Sequence, residues 1–174
     1  MNDLAKLVVS ATKAIQDEIP LRNIPPEEGP KSTSEHVLPF SLVRDTREYI
    51  EKVTNQINGC YENGWFDACA VMIRRLVETL IIEVAEHQGI GSKIKDSNGY
   101  FVYLNELVNI IVAETALGLS RSTITALPRL KKIGDLSAHS RRFIAHRRDI
   151  EKIMDDLRVV SQELIFLADF KRAT

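Results

Sequence analysis

The sequence predicts an all-α protein: an antiparallel bundle of four to five helices, preceded by an extra N-terminal helix on a proline-rich tether. Three observations favour this fold. Apolar residues recur at three- and four-residue steps, no long stretch alternates apolar and polar residues as a strand would, and five of the six prolines fall between residues 20 and 39. A composition of 44% hydrophobic and 27% charged residues is typical of a globular domain.

The chain is predicted to have three parts. Residues 1–18 form an amphipathic helix whose apolar face includes Leu4 and Leu7, and residues 19–39 form the proline-rich linker. The helical bundle occupies residues 40–174. The N-terminal helix has no core of its own, so it is expected to dock on its own bundle or on a second copy, or to stay free until a protein partner binds it.

Within the bundle, apolar periodicity predicts helices at 41–60, 65–87, 100–117, a short segment capped by Ser120 or Ser122, 128–138 and 148–170. The segment 65–87 is apolar almost all round, which is typical of a central helix covered by its neighbours. Pro128 is predicted to end the short helix and to begin the next one, because a proline cannot donate the hydrogen bond that a helix interior needs.

Several classes of protein are disfavoured. Apolar runs are too short and too often broken by charges to span a bilayer, and the N-terminus lacks the pattern of a secretory signal, so no membrane association is expected. The two cysteines, Cys60 and Cys69, lack CxxC spacing and are expected to be buried reduced thiols, which favours the cytoplasm. With neither CxxC nor HExxH in the chain, no metal site is predicted, and no cofactor is expected.

The strongest functional signal is the stretch from Arg129 to Lys152. It holds eight Lys/Arg and three Asp/Glu, a charge of +5 in a chain whose net charge is −1, so the other residues carry −6. Clustered positive charge is typical of a site for phosphate or another anion, although a solvated surface gives the same pattern.

The candidate catalytic residues of this stretch are Asp135, His139, Arg141, Arg142 and His146. Asp135 stands four residues before His139, so on a helix its carboxylate could orient the imidazole. A histidine that moves a proton, beside an arginine that holds a phosphate, suffices for metal-free RNA cleavage. The alternative is structural: His139 caps helix carbonyls, His146 is simply exposed, and the arginines are solvated or paired.

Further candidate ligand-binding residues are Lys132, Arg147, Arg148, Arg74, Arg75 and Glu78. Arg74, Arg75 and Glu78 form a charged group on the otherwise apolar helix predicted at 65–87. A charge there is costly unless it is paired, so the group is predicted to be either a structural clamp or part of a site. Aromatic residues make up only 6% of the chain and most fall at predicted core positions, which argues against a base-stacking platform.

Two of these patterns resemble a known family. The segment CYENGWFDACAVMIRRLVETLI, followed later by LKKIGDLSAHSRR and a terminal amphipathic helix, is similar to a bacterial domain of unknown function in the HEPN superfamily of helical proteins. The resemblance covers the bundle, but not the N-terminal helix and tether. Its motifs are Arg-x-x-x-Glu, here Arg74 or Arg75 near Glu78, and Asn/Asp-x-x-x-His, here Asp135 and His139.

The resemblance implies an up-and-down helical bundle, often homodimeric, in an anti-phage or toxin-antitoxin setting. Many members of the superfamily are metal-independent ribonucleases whose Arg-x(4–6)-His motif meets its symmetry mate across the dimer. This chain departs from the form Arg-Asn-x-x-x-His, because Gly134 stands where the arginine is expected and Asp135 adds negative charge near the phosphate position. The remaining candidate pairs are Lys132 with His139 and Arg141 with His146.

The sequence therefore predicts a non-catalytic or accessory HEPN-like module, expected to be a homodimer, whose basic His/Arg cluster binds RNA, a nucleotide or an acidic partner protein. The first alternative is a metal-independent endoribonuclease that uses His139 or His146 for proton transfer and Arg141 or Arg142 for the phosphate. The second alternative is a purely structural dimerisation bundle.

Overall fold

A computed structural model describes residues 2–18, 32 and 34–170 of the chain. In these residues the regular structure is helical, apart from one isolated antiparallel bridge between Lys95 and Phe101. The helices are α1 (Asn2–Glu18), α2 (Phe40–Val43), α3 (Glu48–Glu62), α4 (Phe66–His87), α5 (Leu104–Ala113), α6 (Arg121–His139), α7 (Arg147–Glu151) and α8 (Met154–Ala168), with 3₁₀ turns at Gly91–Ile94 and Thr115–Leu117. The predicted all-α fold is confirmed.

The chain forms two compact units, one of residues 1–31 and one of residues 32–174. In the first unit, α1 covers almost the whole predicted range 1–18, and its side chains Leu4 and Leu7 are exposed. Docking of this helix on a partner stays a prediction. Among the helices of the described residues, none is long and apolar enough to cross a membrane.

The second unit is an antiparallel bundle built on the four longest of its helices, α3, α4, α6 and α8. Ser120, at the start of α6, donates its backbone N–H to Glu163 near the end of α8 (2.7 Å). Arg129 Nε, further along α6, donates to Asp156 near the start of α8 (2.8 Å). These two contacts show that α6 and α8 run in opposite directions.

Helix α4 is the central helix, as its all-round apolar sequence predicts. It packs against α3, α5, α6 and α8. Its buried residues are Cys69, Ala70, Ile73, Leu76, Val77, Leu80, Ile81, Val84 and Ala85. Each fully buried Leu, Ile or Val side chain stabilises the fold by about 1.5–3 kcal/mol, so this helix supplies a large share of the core.

The predicted break at Pro128 is wrong, because α6 is one continuous helix with this proline inside it. A proline in a helix interior costs about 3 kcal/mol. The residues around it, Ala126, Leu127 and Leu130, are all buried. Breaking the helix would remove them from the core together, whereas the ring of Pro128 is exposed. Tertiary packing therefore outweighs the local preference.

Three other predicted helices have different bounds. The segment predicted at 41–60 is divided into α2 and α3 by a turn in which Asp45 has φ +66°. The segment predicted at 148–170 is divided into α7 and α8. The helix predicted to stop at Gly118 ends earlier, as α5, and a 3₁₀ turn leads to Gly118, whose φ of +62° suits a glycine.

The predicted linker is too long at its C-terminal end. Residues 19–31 and 33 lie outside the described residues, but Val37 and Leu38 are completely buried in the bundle core. The Asn58 side chain holds them there: its Oδ1 accepts from both backbone N–H groups at 3.1 Å, and its Nδ2 donates to the Leu38 carbonyl at 2.8 Å. The bundle therefore begins before the predicted residue 40.

Candidate functional site

Helices α4 and α6 cross in direct backbone contact at Gly134. A Cβ atom at this buried position would lie 2.4 Å from the Arg74 Cβ and 3.0 Å from the Ala70 carbonyl oxygen. Real Cβ atoms essentially never approach another heavy atom to 2.4 Å, and both neighbours belong to the body of α4 rather than to a mobile side-chain end. Position 134 therefore requires glycine as long as α4 and α6 keep this crossing.

A network of ion pairs joins the two helices beside this crossing. Arg74 Nε donates to Asp135 Oδ1 at 2.8 Å, and Arg74 Nη1 lies 3.4 Å from Glu78 Oε2. Lys131 pairs with the second oxygen of Asp135. The side chains are only 21–32% exposed. Arg74 and Glu78 are therefore paired, as a structural clamp requires. Arg75 is exposed and takes no part in these pairs.

Asp135 is a carboxylate fixed by cations. Burial raises its pKa, but the hydrogen bonds and charges of Lys131 and Arg74 together outweigh burial and hold the pKa below its usual range. Each oxygen accepts from one of these cations. Among the hydrogen bonds of the described residues, none joins Asp135 to His139, so the predicted orientation of the imidazole by this carboxylate is not seen within the protomer.

The two histidines lie at the ends of neighbouring helices and are both exposed. His139 is the last residue of α6, and His146 is the residue before α7. The backbone N–H of His146 donates to Asp149 Oδ2 at 3.0 Å, which fixes the start of α7. His146 is exposed, as the structural alternative predicts, whereas no hydrogen bond in the described part of the chain joins the His139 imidazole to a helix carbonyl.

A surface depression of about 590 Å³ lies in the loop between α6 and α7. It is lined by Ser140, Arg141 and Arg142, all of which are exposed. Neither His139 nor His146 lines it. Arg141 and Arg142 therefore line the same depression, but no imidazole does. The predicted pairing of His146 with Arg141 is not seen in this depression.

Arg147 is held in place by aromatic rings. Its guanidinium carbon lies 5.1 Å from the centroid of Tyr61 and 5.6 Å from that of Phe66, and its Nη1 donates to the Tyr61 hydroxyl at 3.2 Å. That hydroxyl donates to Glu151 Oε1 at 3.0 Å. Burial, together with the hydrogen bond to Glu151, raises the pKa of Tyr61. Arg147 therefore has a fixed orientation at the surface.

The other cations of the stretch divide into two groups. Arg129 pairs with Asp156 at 2.8 Å, and Lys152 lies 3.8 Å from Asp149. The second group is exposed and, within the described part of the chain, has no carboxylate at ion-pair distance: Lys132, Arg141, Arg142 and Arg148. The uncompensated positive charge is therefore concentrated at the end of α6 and the start of α7.

Sequence reasoning missed the exposed aromatic residues. Six of the 11 aromatic side chains are exposed, which contradicts the prediction that most face the core: Tyr49, Trp65, Tyr100, Phe101, Tyr103 and Phe166. Trp65 was assigned to the apolar helix that follows it, yet it is 62% exposed. Its position directly after the turn glycine Gly64 was the signal that it precedes the helix.

A second depression contains none of the predicted site residues. It has a volume of about 550 Å³ and lies where α4 and α8 end. In the part of the chain that the structure describes, no three His, Cys, Asp or Glu side chains are grouped as metal ligands would be. Both cysteines are free thiols; burial raises the pKa of Cys69 to about 12, whereas Cys60 is only partly buried, not fully as predicted.

Comparisons of the chain with protein-family models, with curated proteins and with solved structures found no match.

Proposed function

We propose that this chain is a non-catalytic HEPN-like module that binds RNA through its basic end, defined as Lys132, His139, Arg141, Arg142, His146, Arg147 and Arg148. One observation carries the proposal. Arg141 and Arg142 are exposed beside the 590 Å³ depression, and no described carboxylate pairs with them. Guanidinium groups in this state suit phosphate, which they bind through two parallel hydrogen bonds.

The distribution of charge favours a polyanion over a single nucleotide. The unpaired cations lie at several positions along the segment from Lys132 to Arg148, whereas one nucleotide would need them to converge on one pocket. A phosphodiester backbone presents one negative charge per nucleotide and therefore suits cations that are spread along a segment. An acidic protein is also negatively charged, so the binding test below compares RNA with an acidic polypeptide.

Three features support a module without ribonuclease activity. Gly134 cannot be an arginine while α4 and α6 stay in contact. Asp135 is committed to Arg74 and Lys131. The imidazoles do not line the depression that Arg141 borders. General acid–base catalysis requires an imidazole within hydrogen-bond reach of the reacting phosphate, and a phosphate held in this depression would have no imidazole in its lining.

Alanine at both Arg141 and Arg142 is expected to weaken RNA binding roughly tenfold or more at about 0.1 M salt, because two phosphate contacts are lost. The slope of log affinity against log salt should fall by about 1.5, since each phosphate contact contributes about 0.7 to 0.9. The measurement is fluorescence anisotropy of a labelled RNA over a salt series, with circular dichroism to show that the variant is folded.

The matched control replaces Arg44 and Arg121, two exposed arginines at the opposite end of the bundle. It should leave both the affinity and the salt slope unchanged. An equal loss in the control pair, or binding of polyglutamate in preference to RNA, would contradict the proposal.

The remaining expectations belong to the same proposal. The homodimer is expected from the HEPN resemblance and from the tethered first helix, which can exchange between copies. The defence or toxin-antitoxin setting is expected from the resemblance alone. The exposed Leu4 and Leu7 support a protein-binding role for α1. The free thiols of Cys60 and Cys69 support a cytoplasmic location.

A further inference from the structure

Trp65 is the only tryptophan of the chain and is 62% exposed, although its backbone is firmly held. Its N–H donates to the Cys60 carbonyl at 2.8 Å, and its carbonyl accepts from the Cys69 N–H at 2.9 Å. Tryptophan supplies a large apolar surface and is enriched at interfaces, so an indole left in solvent on ordered backbone is a candidate contact for a ligand.

The residues that follow Trp65 connect it to the basic end. Phe66 contributes one of the two rings on which the Arg147 guanidinium rests. Asp67 Oδ1 accepts from the Ala145 N–H at 3.0 Å, which ties the loop between α6 and α7 to the start of α4. Beside that bond, Ile144 is 67% exposed. The exposed indole and the unpaired arginines therefore lie at the same end of the bundle.

We propose that Trp65 stacks on a nucleobase, and that the ligand of the basic end is single-stranded nucleic acid. The inference rests on the proposed RNA-binding function and narrows it. Proteins that bind single strands combine cations for the phosphates with aromatic faces for the bases. In a duplex the base faces are already stacked, so an indole cannot reach them. Trp65 can therefore add affinity for a single strand but not for a duplex that is bound only through its phosphates.

The single tryptophan gives a direct readout, because a base stacked on an indole quenches its fluorescence. A single-stranded RNA of 12 nucleotides is expected to quench the emission of the full chain, whereas a duplex of the same length and base-free polyphosphate are not. Trp65→Ala should bind the single strand roughly 5- to 100-fold more weakly, as measured by anisotropy, with polyphosphate binding unchanged. Trp65→Phe should restore most of the affinity, since it keeps an aromatic face.

The control is Tyr103→Ala, which removes an aromatic side chain that is 84% exposed in a different part of the bundle. It should leave the affinity for RNA unchanged. Binding of the single strand without quenching, and with equal affinity for Trp65→Ala, would overturn the stacking role and leave the proposed function standing. Equal affinity for duplex and single strand would also overturn it. Failure of every RNA to bind would overturn both.

Discussion

Gly134→Arg is expected to unfold the bundle or to separate α4 from α6. Even Gly134→Ala should lower the free energy of unfolding by about 1–3 kcal/mol, because overpacking at a close helix crossing forces the backbones apart. The new Cβ would lie 2.4 Å from Arg74 Cβ, and neither atom can move without its helix. Urea denaturation followed by circular dichroism measures the loss.

Gly59→Ala is the matched control, because Gly59 lies in α3 and a Cβ added there has no neighbour within 4 Å. Alanine is the better helix former, so this variant should be as stable as the parent or more stable by up to about 1 kcal/mol. If Gly134→Arg folds with the parent's stability, the crossing is not closed to a side chain.

Asp135→Ala is expected to lower the free energy of unfolding by about 1–3 kcal/mol, because it leaves Arg74 and Lys131 partly buried without their shared carboxylate. In a double-mutant cycle with Arg74→Ala, the two losses should not add, since the residues are in contact. The control is Asp155→Asn, whose side chain is 96% exposed; it should change stability by less than about 0.5 kcal/mol.

The contribution of Asp135 should also depend on pH in a defined direction. Its pKa is lowered in the folded state, so its stabilising effect is fully present above the unfolded value of about 3.9 and is lost as the pH falls through the folded pKa. The stability difference between the parent and Asp135→Asn should therefore be constant near neutral pH and shrink below about pH 4. A constant difference down to acid pH would show that the carboxylate is not the source.

The fold was predictable where the apolar pattern of a single helix is enough to place that helix. The all-round apolar segment that became α4 had to be central, because such a helix is stable only when its neighbours cover it. Pro128 shows the limit of local rules, since the penalty of a proline is intrinsic but the burial of Leu127 and Leu130 on either side of it depends on the whole bundle. The proline penalty can be read from the sequence, whereas the burial of these leucines cannot.

The candidate site was predictable in charge but not in geometry. The basic stretch was recognisable by counting, and its unpaired arginines do lie together. The contact between Asp135 and Arg74 was not predictable, because Arg74 is 61 residues away and the helical step to His139 offered a closer partner. Trp65 was missed for a related reason: periodicity assigns a residue to a helix face only if it lies inside the helix, and Trp65 stands just before α4.

Whether bound RNA is cleaved distinguishes a non-catalytic RNA-binding module from a ribonuclease. A labelled single-stranded RNA is incubated in EDTA with the parent and with the His139→Ala/His146→Ala double variant, and then resolved on a denaturing gel. Both proteins are expected to bind the RNA and leave it intact. Cleavage by the parent that disappears in the double variant would contradict a non-catalytic module.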